Sequence, residues 1–162
     1  MKSNFDIVKI EPKQGENVIL GQTHFIKTVD DLYETLASSS TSIKFGVAFN
    51  EASGDRLVRF DGNDAALTRE AVEISGMIGA GHTFVIVLRE GYPINVLNRI
   101  KSVEEVVNIF AATSNPLSVV VYDNGSARGI LGVLDGKPPL GIEKDNDKEN
   151  RHNLLKKIGY KR

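Results

Sequence analysis

The 162-residue chain contains no cysteine. Disulfides, thiolate catalysis and cysteine-held zinc or iron–sulfur centres are therefore excluded. It has no tryptophan, two methionines and five prolines. No stretch approaches the roughly 20 apolar residues that span a bilayer, and Met1–Asp6 lacks the apolar core of an export signal. No membrane role and a cytoplasmic location are the expectation. Charge of one sign is also missing: the net charge is −1. Its distribution is uneven, because residues 137–162 carry eight Lys and Arg against four acids. Glu143, Asp145, Asp147 and Glu149 interrupt that basic tail, and no aromatic stacking platform accompanies it. Nucleic acid is thus not the expected partner.

With 41% hydrophobic and 25% charged residues, the chain has the length and composition for one globular domain over 1–162. Alternation predicts strands at 5–10, 17–20, 43–49, 56–60, 117–122 and 128–134, and a nearly continuous apolar run predicts a central strand over 82–88. Ser53-Gly54-Asp55 and Asp123-Asn124-Gly125 read as hairpin turns. Val29, Leu32, Tyr33 and Leu36 predict a helix from Thr28 to Ala37, with Thr28 as N-cap and Asp31 completing a capping box. Asn63 or Asp64 caps a second helix with apolar Leu67, Ala71, Ile74 and Ile78, ended by Gly79-Ala80-Gly81. Ser102 with Glu105 reads as another capping box, opening a helix through Val103, Val106, Val107 and Phe110. Over 137–162 a polar helix is expected to dock through Leu154, Leu155 and Ile158 and to stop at Gly159. The sum is a mixed-sheet α/β domain of six or seven strands and three or four helices. Phosphate-loop and G-x-G-x-x-G motifs are absent, so neither a P-loop nor a Rossmann fold is expected.

The most informative segment is GQTHFIKTVDDLY over 21–33. It places His24, Lys27 and Thr28 at the mouth of a predicted helix. A neutral imidazole can act as base or as nucleophile toward phosphorus. Lys27 adds a point charge, and a helix N-terminus adds roughly half a positive charge. The plainer reading is that a single histidine before a helix packs or caps.

Other candidates lie in loops. Glu51 is required by neither turn nor cap, and could orient His24 or accept a proton from a sugar hydroxyl. Asp61 could do the same or hold magnesium beside donor phosphates. Asp61-Gly62-Asn63 is equally readable as a turn plus cap. Asn95 and Asn98 share a face if Pro93 opens a helical turn, and their amides suit an adenine edge, or they satisfy backbone groups. Tyr92 could stack on a base. His82 opens the central strand and reads first as structural, and His152 as solvated. No histidine pair and no H-E-x-x-H pattern suggests a metal centre.

Taken together, these segments resemble the adenosine-specific kinases, a small family of archaeal and bacterial proteins. The resemblance is carried by GQTHFIKTVDDLYE (21–34), IKFGVAFNEASG (43–54), RLVRFDGND (56–64), GAGH (79–82), PINVLN (93–98), IFAAT (109–113), NPL (115–117) and GILGVLDG (129–136). It implies an α/β fold distinct from sugar-kinase and phosphate-loop kinases, a homotrimer, binding of adenosine or AMP, and a histidine able to carry phosphate. That histidine is placed at His24, with His82 as runner-up. On this reading His24, Lys27, Glu51 and Asp61 serve catalysis, while Thr28, Asn63, His82, Asn95 and Asn98 hold the nucleotide. The phosphate donor is left open, with magnesium as its accompanying cofactor. The competing expectation is a non-catalytic sensor of AMP or adenosine.

Overall fold

The computed structural model describes residues 4–162; the expectation of no export core over Met1–Asp6 therefore falls partly outside the described residues. Eight strands and four helices follow in the order β1 (Asn4–Ile10), β2 (Asn17–Thr23), α1 (Thr28–Ala37), β3 (Lys44–Asn50), β4 (Val58–Gly62), α2 (Ala65–Ile78), β5 (Thr83–Arg89), α3 (Pro93–Lys101), β6 (Val106–Thr113), β7 (Leu117–Asp123), β8 (Arg128–Asp135) and α4 (Asp145–Lys157). The α/β class is as expected. The strands form a five-stranded sheet ordered β4-β3-β5-β2-β6 and a three-stranded sheet ordered β1-β7-β8. Every pairing among the described residues is antiparallel.

The uniformly apolar run of β5 earns its place in the middle of the larger sheet, where both faces are covered. Phe84, Ile86 and Leu88 face α1 and α3, while Val85 and Val87 face α2 and the smaller sheet. The result is three layers. One core lies between α1, α3 and the large sheet, and a second between that sheet, α2 and the small sheet. On α2, Leu67, Ala71, Ile74 and Ile78 are all buried, as their spacing predicts. Asp64 is its cap, its carboxylate accepting from the N–H groups of Ala66 and Leu67 at 2.9 and 3.0 Å. Gly79 ends it in the left-handed conformation at φ +58°.

Three local expectations are corrected. The helix expected after Ser102 is strand β6, and the third helix lies earlier, at Pro93–Lys101. Val106-Val107-Asn108-Ile109-Phe110 is rich in branched and aromatic side chains, and the free edge of β2 gives it a ladder to join. At α1 the capping box is not formed. Lys27 occupies the N-cap position, and the Thr28 hydroxyl instead donates toward Thr23 Oγ1 at 2.9 Å and the Phe25 carbonyl at 2.5 Å. Finally, α4 forms and Gly159 stops it at φ +84°, but none of its residues is buried: Leu154 and Ile158 are more than half exposed. Three apolar side chains against a strongly polar remainder bury too little to hold it down.

Candidate functional site

Antiparallel pairing brings β2's end, β5's start, β3's end and the segment entering β6 to one end of the large sheet. Thr23 donates its N–H to the His82 carbonyl at 2.9 Å, so the next residue, His24, lies beside the start of β5. His82 in turn donates its N–H to the Asn50 carbonyl at 2.7 Å. Its backbone sits at φ +64°, unusual for a residue with a side chain, and its ring stacks on Phe49 with centroids 6.0 Å apart. His82 is locked on three sides. His24 is exposed.

Behind the histidines, Asn50 is buried. Its amide donates to Thr83 Oγ1 at 2.9 Å and the Ser75 carbonyl at 3.0 Å, and accepts from Ser75 Oγ at 3.0 Å. This network ties β3, β5 and α2 together. Glu51 follows it out of the sheet. The Leu57 N–H, followed by the Arg59 guanidinium, holds its carboxyl below the usual carboxylate range. Leu57 donates to it at 3.1 Å, and Arg59 approaches to 3.1 Å. Glu51 is thus an anion that organises the 51–57 loop, and a weak base.

Beyond this loop a cleft of about 530 Å³ runs between the β3–β4 loop, the end of α2 and the β7–β8 turn. Glu51, Arg56, Gly81, Asp123, Ser126 and Arg128 are among the residues lining it. Arg128 is spoken for, by Asp6, Asp123 and the Ile78 carbonyl at 3.1 Å each. Arg56 stands at φ +53°. Arg56 in the cleft wall, and His82 next to Gly81 of that wall, are thus two left-handed residues that are not glycine, and such conformations cluster at functional sites.

On the other side of His24, at the mouth of α1, Lys27 Nζ lies 2.8 Å from Asp31, and 3.8 Å from both Glu104 and Glu105. The Asp31 hydrogen bond raises the Lys27 pKa and lowers that of Asp31. Glu105, 1% exposed, is pushed up by burial.

The structure divides the expected site residues. His24, Lys27, Glu51 and His82 share the end just described. Thr28 is there too, but buried, with its hydroxyl consumed. Asp61, Asn63, Asn95 and Asn98 lie toward the opposite end: β3 runs four residues from Gly46, paired with Gly62, to Asn50, about 13 Å at roughly 3.3 Å per residue. Asn63 spends its amide on the Phe45 N–H and the Ile43 carbonyl, both at 2.8 Å. Asn95 accepts from the Tyr92 N–H at 2.9 Å, capping α3. Asn98 lines a shallow hollow with Thr35 and Arg99. Asp61 is exposed and accepts only its neighbour's N–H at 2.7 Å. No group of three or more His, Cys, Asp or Glu among the described residues is arranged to hold a metal.

Sequence reasoning missed Asn50, Arg56, Arg128 and the role of Glu105. The first three depend on which loops meet. Glu105 was disguised as a helix cap.

The sequence model of a family described as "Adenosine specific kinase" matches residues 8–161. The crystal structure of the PH1918 protein from Pyrococcus horikoshii OT3 is similar over 99% of both chains, at 44% identity and a TM-score of 0.95. No curated protein sequence matches.

Proposed function

Because the chain belongs to the adenosine-specific kinase family, we propose that it is a phosphotransferase in which His24 accepts a phosphoryl group and passes it to a hydroxyl of adenosine, giving AMP. The observation that carries this reading is the Thr23–His82 hydrogen bond, which sets an exposed histidine, at the mouth of α1, beside a locked one whose chain neighbour Gly81 lines the cleft. A neutral nucleoside suits that cleft. Glu51 and Asp123 can accept from ribose hydroxyls, and Arg56 reaches in from the loop.

The steps balance without a further reactant beyond a phosphoanhydride donor. A neutral ring nitrogen of His24 attacks the terminal phosphorus; an N–P bond forms, the bridging P–O bond breaks, and the leaving diphosphate takes the electron pair. The adenosine hydroxyl oxygen then attacks the same phosphorus. The N–P bond breaks, and the hydroxyl proton ends on the nitrogen that phosphorus leaves. Lys27 and the first-turn N–H groups of α1 stabilise the moving charge. His82, fixed against Phe49, serves as a wall rather than as the carrier.

The functional unit is proposed to be a homotrimer. The outer face of the small sheet carries exposed Phe5, Ile7, Leu131 and Leu134, and the following segment carries exposed Leu140 and Ile142, an apolar extent that single chains rarely leave in water.

One observation favours the sensor reading: Lys27 is already surrounded by three carboxylates, so the cation beside His24 is committed before any ligand arrives. Turnover of adenosine with a labelled phosphoanhydride donor separates the two. His24→Ala is expected to lose about a thousandfold or more in turnover and all acid-labile protein phosphate, with His82→Ala retaining the label. Full activity in His24→Ala overturns the assignment. AMP binding with no turnover under any donor establishes the sensor.

A further inference from the structure

The mouth of α1 holds a group that this reaction leaves idle. Glu105 is 1% exposed, and neither of its carboxylate oxygens has a hydrogen-bond partner. Its nearest cation, Lys27 Nζ, stands at 3.8 Å, beyond hydrogen-bond range. The charged and titratable groups around it are Lys27 and Asp31 from α1, Glu104 from its own segment, and His24, which follows the Thr23↔Val106 pair on β2. One ammonium thus serves three carboxylates. Asp31 holds it most closely, at 2.8 Å, while Glu104 is solvated at 91% exposure. Glu105 is sealed from solvent with no donor in range, facing the distant field of Lys27 and the Asp31 carboxylate, with which it can share a proton.

A buried carboxylate survives as an anion only while its counter-charge stays. Lys27 is not fixed: its side chain is 42% exposed on a flexible stem. A phosphate monoester beside His24 offers it a stronger partner. If Lys27 turns outward, Asp31 keeps solvent and the positive end of α1, but Glu105 keeps only the Asp31 carboxylate, which repels it as an anion and accepts from it once protonated.

We propose that Glu105 is a positioning residue that holds Lys27 in reserve, releasing it to an arriving phosphate group by taking up one proton from solvent. This rests on the reading of the α1 mouth as a phosphate site. Burial already raises the Glu105 pKa, so protonation is the cheap response there, whereas Lys27 holds Asp31 down. The device reconciles a committed lysine with phosphate capture: the acids that neutralise Lys27 in the free protein let go of it when one of them is neutralised itself.

Calorimetry of AMP binding at pH 7.5, in two buffers of different ionisation enthalpy, reads the proton directly. The full chain is expected to take up close to one proton per AMP, and none with adenosine, which lacks the phosphate. Glu105→Gln, already neutral, is expected to bind AMP with the uptake abolished. Carbon-13 titration of the Glu105 carboxyl in the unsubstituted protein, which needs no variant to fold, is expected to shift to a higher midpoint when AMP is added. AMP binding without proton uptake, uptake that persists in Glu105→Gln, or an unmoved carboxyl midpoint each overturns the inference while leaving the phosphate site standing. No AMP binding at all overturns both.

Discussion

Asn50 makes three hydrogen bonds at 7% exposure, to partners on β5 and α2, and the Ser75 hydroxyl among them donates to its side chain. Removing a buried partner costs more than the bond contributes, because what remains is desolvated and unpaired. Asn50→Leu is therefore expected to cost about 3 kcal/mol, a fall of roughly 6–12 °C in melting temperature measured by calorimetry. The damage belongs at the histidine end, since Asn50 also supplies the carbonyl that fixes the His82 N–H. Of the candidate residues, His24 and Lys27 had a legible position, at the mouth of α1, because that placement is local: both stand just before a strong helical stripe. Glu105 was not, for it too has a local meaning, Ser-x-x-Glu, and that meaning is wrong. Its burial comes from β2 and α1, some seventy residues away in sequence. The His24→Ala and Glu105→Gln outcomes rest on the same contrast between a side chain left free and one sealed in.

At the scale of elements, α2 shows how local chemistry and packing agree. Asp64 caps it, and the Leu67 and Ala66 N–H groups hold that carboxyl below its ordinary 3.8. A depressed carboxylate pKa contributes stability above the ordinary value and loses it as pH falls through the folded one. Asp64→Ala should thus cost about 1 kcal/mol at neutral pH. In denaturant melts its penalty should shrink as pH drops below 3.8, because the wild-type cap is then itself protonated. The helix packs so closely that a Cβ on Gly46 of β3 would come within 2.3 Å of the Thr68 backbone, which is why glycine stands in the middle of a buried strand. Seven of the eight strands were readable from alternation and turn residues. The exception, β6, has Val103, Val106, Val107 and Phe110 at helical spacing, yet 106–110 is also a run that a pleated edge accepts. The open side of β2 decided between them, and periodicity alone cannot see an open edge.

For the whole molecule, the fold is closed within one chain where α1, α2 and α3 cover the large sheet, and open where β1, β7 and β8 turn an apolar face outward. Light scattering after size exclusion should give three times the 17.7 kDa chain mass. The double substitution Ile7→Glu and Leu131→Glu should reduce it to one, with the circular dichroism of the fold kept. A single-chain mass for the unsubstituted protein at micromolar concentration would end the trimer reading. No helix among the described residues is long and apolar enough to cross a membrane.

Neighbouring strands stand about 4.8 Å apart wherever a ladder holds, and the ladder between β2 and β5 lies at the centre of the protein. The main chains at Thr23 and His82 therefore cannot drift apart unless the sheet unzips at its most protected pairing, and His24 begins one residue beyond that tether. A histidine deep in a loop moves whenever the loop lengthens or changes sequence. His24 is instead the first residue after β2, so the walls of the cleft beyond Gly81 can be rebuilt to admit a different ligand while its backbone anchor stays where it was.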